Sequence, residues 1–341
     1  MTGKGWASTS HLPGASAVKG LAMGGRLEAL RAAKGRNGER SVNREDSSPG
    51  AHPTRTGEPH PGSVQAIRRT LVVLACLTLI LVGRAASGQE QPKPSNDAEA
   101  RELGLTVSGT PEYTEGKYGT RHTTEILNVP FVLDWFVTDR FDLSLTLPYL
   151  REHGRDIVAT IGGGAVRTPL GRQASTARAR TEEGLGDVLL EAGYVLLEAK
   201  DLRPEVRGFA EIKFPTADSR RGLGTGAFDE TIGLGLEKKF SKWTTSLEVR
   251  YVFVGSPHGT SLDNSVGWSA ELAYDATSWL RLSSMLEGAT AVARHEPGLL
   301  DLRVVAEVKV SHHVKLKAGA LKGLSNGSPD FGVLVSFEVS F

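Results

Sequence analysis

From Leu127 to Phe341 apolar and polar side chains alternate with a period of two, the pattern of strands that press one face against an apolar phase. Phe141, Leu143, Leu145, Leu147 and Tyr149 share one face, and Asp142, Ser144, Thr146 and Pro148 share the other. The preceding segment puts Leu127, Val129, Phe131, Leu133 and Trp135 together, and Thr138-Asp139-Arg140 joins the two as a tight hairpin. In that hairpin positions summing to 278 lie opposite one another, which pairs Pro130 with Pro148. The alternation recurs in nine further segments, ending in FGVLVSFEVSF at Phe341. A weaker first strand, roughly Leu103 to Thr114, makes the predicted count twelve.

The polar faces carry charges of both signs in about equal number, Arg207, Glu211, Arg303 and Lys317 among them. Two features separate a membrane barrel from a soluble sandwich. Short turns, near 138–140, 199–202, 241–242, 275–278 and 311–313, alternate strictly with longer loops, the longest at 151–182. Aromatic residues gather at the ends of the apolar faces, Trp135, Phe240, Trp243 and Trp279 by the turns, Tyr149 and Phe214 by the loops. Both are marks of an up-and-down outer-membrane barrel with trimmed periplasmic turns and aromatic girdles. The fold predicted is therefore all-β, a transmembrane antiparallel barrel of about twelve strands over 103–341. A terminal Phe on an amphipathic last strand resembles the signal read by the barrel-assembly machinery, which makes that machinery one expected partner.

The region before the barrel reads differently. Leu71 to Val82 is the longest apolar run, preceded by Arg68-Arg69 and followed by small residues. That is the grammar of a secretory signal peptide over 68–88, and the run is too short for a spanning helix. Residues 1–67, rich in Gly, Ser, Pro, His and Arg, have no period and read as a disordered extension, with translation expected to start later, near Val64. Residues 89–102 are then a periplasmic segment. The single Cys, Cys76, falls inside the leader, which leaves no disulfide and no cysteine-based zinc cluster. The formal charge of +1 divides as well: 12 Lys+Arg against 5 Asp+Glu up to Gly88, and 28 against 34 after it. The mature chain is acidic, which excludes a basic nucleic-acid binder.

Several motifs carry a resemblance: Pro148-Tyr149 at a strand end, Gly184 to Asp187 as GLGD, Lys213 to Thr216 as KFPT, Leu223 to Asp229 as LGTGAFD, and Trp243 to Gly255. Together they resemble the outer-membrane proteins grouped as MetA-pathway phenol-degradation-like. The resemblance covers roughly 103–341 and implies passage of small hydrophobic or aromatic solutes.

A twelve-stranded barrel has a lumen between the filled and the open. Asp187, Glu191, Glu205, Arg207, Glu211, Lys213, Glu248 and Arg250 are the candidates for a lumenal constriction, with Glu191, Glu205, Arg207 and Glu211 expected at similar depth. The same charges would brace the barrel if the protein is a structural or adhesive one. Pro130 and Pro148 lack ladder donors, and they mark either the end of the ladder at the outer rim or a lateral opening. Arg151, Arg155, Arg167, Arg172, Arg178 and Arg180 form a candidate basic cluster in the outer loop, suited to lipopolysaccharide phosphates. A phospholipase-like enzyme would need a Ser–His pair, and no His stands mid-strand beside a suitable Ser. His312 and His313 are adjacent in a turn and point apart, so no metal is expected there, nor any cofactor.

Overall fold

The structure is a computed structural model, and it describes residues 104–156, 158–161, 164–167, 178–257, 261–293 and 296–341. The leader, the extension to residue 67, the 89–102 segment, Arg172, His258 and His295 lie outside the described residues.

The strands are β1 (Leu105–Gly109), β2 (Glu112–Gly116), β3 (Thr124–Phe136), β4 (Phe141–Gly154), β5 (Val158–Ile161), β6 (Gly164–Arg167), β7 (Arg180–Leu185), β8 (Val188–Leu197), β9 (Glu205–Phe214), β10 (Asp229–Phe240), β11 (Trp243–Phe253), β12 (Ser265–Asp275), β13 (Leu280–Ala289), β14 (Leu299–Lys309), β15 (Val314–Gly323) and β16 (Phe331–Ser340). All but β5 and β6 belong to one antiparallel sheet: β3 pairs with β4, β4 with both β7 and β8, each strand from β8 to β16 with the next, and β1 and β2 with both β3 and β16. The sheet is therefore closed. Two of its staves are interrupted once, β1–β2 at Thr110-Pro111 and β7–β8 at Gly186-Asp187, so its fourteen segments make twelve staves. The separate β5–β6 hairpin sits in the long loop, which shrinks to 155–179 because β4 and β7 extend into it.

The burial pattern is inside-out for a soluble protein. Phe131, Leu133, Trp135, Ile232, Leu234, Leu247, Val249 and Val304 are exposed, while Glu287, Asp301, Lys213, Lys317, Arg303 and Arg207 are buried. Aromatics bound the apolar belt: Trp243 packs on Tyr274 with ring centroids 4.6 Å apart, and at the other end Tyr251 packs on Phe253 at 4.7 Å and Phe214 on Phe228 at 5.9 Å. From Trp243 to Phe253 at ~3.3 Å rise and a tilt of about 40°, the belt is about 25 Å tall, which matches a hydrocarbon core.

Pro130 and Pro148 are register partners, as the hairpin arithmetic predicts. The ladder does not end there; it continues to Glu125 opposite His153. What the prolines remove in N–H donors is partly bridged through their carbonyls, which accept from Thr110 N at 3.1 Å and Gly186 N at 2.8 Å. On β4, pairing shifts by one residue between Thr146–Leu189 and Tyr149–Leu185, a bulge at Gly186–Val188 facing Leu147-Pro148.

Leu234 and Leu324 are equally exposed, at 52%, but Leu234 is mid-strand in the belt and Leu324 lies in an outer loop. Leu234→Arg is expected to destabilise the folded barrel by about 2–4 kcal/mol and Leu324→Arg by close to nothing. Urea titration of folding into phospholipid vesicles measures both.

Candidate functional site

Four charge clusters stand in the lumen among the described residues. The outermost closes a notch in the wall. On its far side β7 has no ladder partner, since β9 stops at Phe214, and loop 215–228 covers the gap. Lys213, at the end of β9, places Nζ 2.6 Å from Asp229 and 3.4 Å from Asp187, and donates to Thr225 Oγ1 at 2.9 Å. Asp187 accepts from Ala217 N at 3.0 Å, and Asp229 accepts from Gly255 N at 2.9 Å. Thr216 Oγ1 donates to the Gly186 carbonyl at 3.1 Å and accepts from Val188 N at 3.0 Å. Gly224 has to be glycine, because a Cβ there would stand 2.7 Å from both Asp187 oxygens. The GLGD, KFPT and LGTGAFD motifs are thus three sides of one clasp that pins the loop against the wall.

Deeper in the lumen, Arg207 donates from Nε to Asp142 at 3.0 Å and from its terminal nitrogen to Glu191 at 2.8 Å, with a further bond to Asp142. The Phe209 ring lies between two guanidiniums, 5.5 Å from Arg207 and 5.4 Å from Arg250, both within cation–π range. Arg250 in turn is bonded to Glu248. This width of side chain fits because the strands beside it are bare. A Cβ on Gly193 would stand 1.9 Å from the Arg207 guanidinium, and one on Gly233 2.3 Å from the Phe209 ring. Along the ladder the row runs Asp142, Gly193, Phe209, Gly233, Arg250, Gly267, a long side chain on every second strand.

The third cluster lies across the barrel, where Arg303 bridges Glu112 and Glu287. Towards the periplasmic end Lys317 meets Glu338 at 2.9 Å and Glu307 at 3.5 Å.

Of the eight predicted constriction residues, the structure joins Asp187 to Lys213, Arg207 to Glu191, and Arg250 to Glu248. Glu191 and Glu211 are direct cross-strand partners. Glu205 departs from the predicted depth. It is the first residue of β9, beside the 198–204 turn, and pairs with Glu237, three alternations away from Glu211. The even balance of signs also needs correction. Glu112, Asp142, Asp229 and Glu237 join the lumenal face, and acids face acids at Glu191–Glu211, Glu205–Glu237 and Glu287–Asp301. The loop arginines do not assemble as a free basic cluster among the described residues. Arg151 lies on β4, 3.5 Å from Glu183, and Arg180 starts β7, 3.7 Å from Glu182. Arg155 is exposed, Arg178 is exposed beside β7, and Arg167 ends β6.

At the outer end, strand ends and outer loops pack two buried apolar clusters. Val252, Val254, Leu262 and Val292 make one, and Tyr118, Ile126 and Val158 the other. Burial pushes the Tyr118 hydroxyl well above the usual phenol range, and that hydroxyl donates to Thr114 at 2.7 Å. Among the described residues no three His, Cys, Asp or Glu side chains converge as a metal cage.

The clasp generates a test. Lys213→Met removes the cation that two buried carboxylates share, and is expected to cost about 3–5 kcal/mol. Adding Asp187→Asn and Asp229→Asn should recover most of that loss. Urea unfolding reads the stability, and protease cleavage within 215–228 reads the freed loop.

Comparison with known proteins follows the fold. No curated protein matches the chain. The COG4313 outer membrane channel from Pseudomonas putida F1 superposes with a TM-score of 0.52 at 16% identity, over 73% of this chain and 100% of that one, a likeness of fold. The translocator domain of the autotransporter NalP from Neisseria meningitidis gives 0.44 at 12% identity, covering 80% and 98%. The P. putida toluene transporter TodX gives 0.37 at 11%, covering 70% and 78%. The family model described as "Putative MetA-pathway of phenol degradation" matches residues 107–278, about half of the chain, from β1 through β12 and across all three sides of the clasp. The protein is a β-barrel of the bacterial outer membrane and belongs to that family.

Proposed function

We propose that the barrel admits small, uncharged hydrophobic or aromatic solutes across the outer membrane. The observation that carries this reading is the pair of buried apolar clusters at the outer end of the barrel, Val252, Val254, Leu262 and Val292 in one and Tyr118, Ile126 and Val158 in the other. An apolar collar above a charged interior lowers the cost of desolvating an aromatic solute at entry and leaves ions outside. Below it, Arg207, Phe209 and Arg250, held by Asp142, Glu191 and Glu248, form the constriction, with Glu211 alongside. Asp187 and Lys213 act as the clasp rather than as the filter, and Glu205 lies towards the periplasmic exit. The Pro130–Pro148 pair lacks two ladder donors and adjoins the bulge on β4. The pair and the bulge are the proposed site at which an apolar solute leaves sideways into the bilayer.

A structural or adhesive barrel is the second reading, and the filling of the lumen across Gly193 and Gly233 favours it. An outer-membrane phospholipase-like activity draws no support. Among the described residues the His122 ring bonds Asp156, the His153 ring bonds Thr181 and the His313 ring bonds the Ser340 carbonyl. The proposed partners are the membrane lipid, lipopolysaccharide at the exposed Arg155, and the barrel-assembly machinery at the last strand. Export through the 68–88 leader belongs to the same proposal.

Liposome swelling with the purified full chain separates the two readings. Phenol-sized neutral solutes should enter faster than sugars of similar mass, and Phe209→Ala should raise the rate several-fold by clearing the lumen. Absence of swelling by both proteins would leave the structural reading standing.

A further inference from the structure

Glu287 and Asp301 face each other directly across the β13–β14 ladder, near the outer end of the barrel. They are 1% and 2% exposed, among the most completely buried side chains in the described residues. The positive charge nearby is already committed. Arg303 donates to both oxygens of Glu112, at 3.4 Å to Oε1, and to Glu287 Oε1 at 3.3 and 3.2 Å. Arg250, the other guanidinium that acts on Glu287, is bonded to Glu248. That leaves Glu287 Oε2 and Asp301 Oδ1 without a hydrogen-bond partner.

Three carboxylates against one guanidinium leave an uncompensated double negative charge. Directly opposed like charges weaken a ladder, and a buried carboxylate oxygen without a partner weakens it further. A proton shared by the pair would cancel half of that charge. A divalent ion cancels all of it and gives both bare oxygens a ligand. Apart from the Arg303 guanidinium on Glu287 Oε1, the neighbouring polar atom is Ser328 Oγ, bonded to Leu300 next to Asp301, and carboxylate with hydroxyl oxygens suits a hard cation. We propose that Glu287 and Asp301 hold a divalent cation of the calcium or magnesium type, with water completing its shell. Two carboxylates are fewer than a closed cage supplies, so affinity should be modest, with Kd on the order of 10⁻⁴–10⁻³ M.

The test uses the full chain folded in detergent, stripped with EDTA and then given calcium. At about 10 mM calcium the melting temperature should rise by about 5 °C. Equilibrium dialysis with elemental analysis should find roughly one calcium per chain. The double variant E287Q/D301N should lose the bound calcium and the shift, and in EDTA it should melt above the wild type because the repulsion is gone. E205Q/E237Q removes the facing acid pair at the other end of the barrel and should keep both, which separates a site from general screening. Wild-type protein that binds no calcium overturns the proposal, as does undiminished binding by E287Q/D301N. So does a wild type that is stabilised by acid but not by calcium, the behaviour of a shared proton. None of these outcomes depends on whether solutes pass through the barrel.

Discussion

In hydrocarbon no water is present to receive an unpaired backbone N–H or C=O, and every other feature of this molecule follows from that constraint. A sheet can meet it only by returning to its own first strand. Here the return is made by a stave in two pieces: β1 and β2 each bond β3 on one side and β16 on the other, from Thr106 opposite Ser340 to Glu115 opposite Phe331. The break at Thr110-Pro111 does not shift the register, and the Pro111 carbonyl still accepts from Val335 N at 3.1 Å. Closure then fixes which way each side chain points. The period-two alternation becomes lipid and lumen, and the charges have no direction left but inward.

The wall was the legible part of the sequence. Strand number, turn and loop order, the Pro130–Pro148 pairing and the aromatic girdles could all be read off because alternation and turn chemistry are local properties. Each depends on neighbours within about twenty residues. The β5–β6 hairpin and the extension of β4 and β7 into the long loop were not legible, because Arg151 to Thr181 carries no clean period.

The contents of the lumen were legible only in kind. That Arg207 and Lys213 face inward follows from parity; which acid each one meets depends on tilt and on long-range neighbours. Asp142 is 65 residues from Arg207, and Glu112 is 191 from Arg303. Glu112 gave no warning, since it sits in the weak first stave just after a proline. Asp229 did give one, as the last residue of the LGTGAFD cue, although nothing in the string tied it to Lys213. Glu205 was misplaced because strand-by-strand parity gives the face and not the height. Its neighbour Glu237 shows that it belongs to the turn end.

The alternation of bare and long residues across Asp142, Gly193, Phe209, Gly233, Arg250 and Gly267 separates two properties that are usually linked. In a barrel whose neighbouring side chains interlock, bore follows from stave number, and changing it means rebuilding the sheet. Here the glycine positions hold no side chain of their own, so the bore is set by a few long residues that lie across them. Shortening one of those residues widens the passage with the hydrogen-bonded wall intact. Related barrels with the same twelve staves can therefore range from sealed to open through single residues, and stave number is a poor guide to what any one of them lets through.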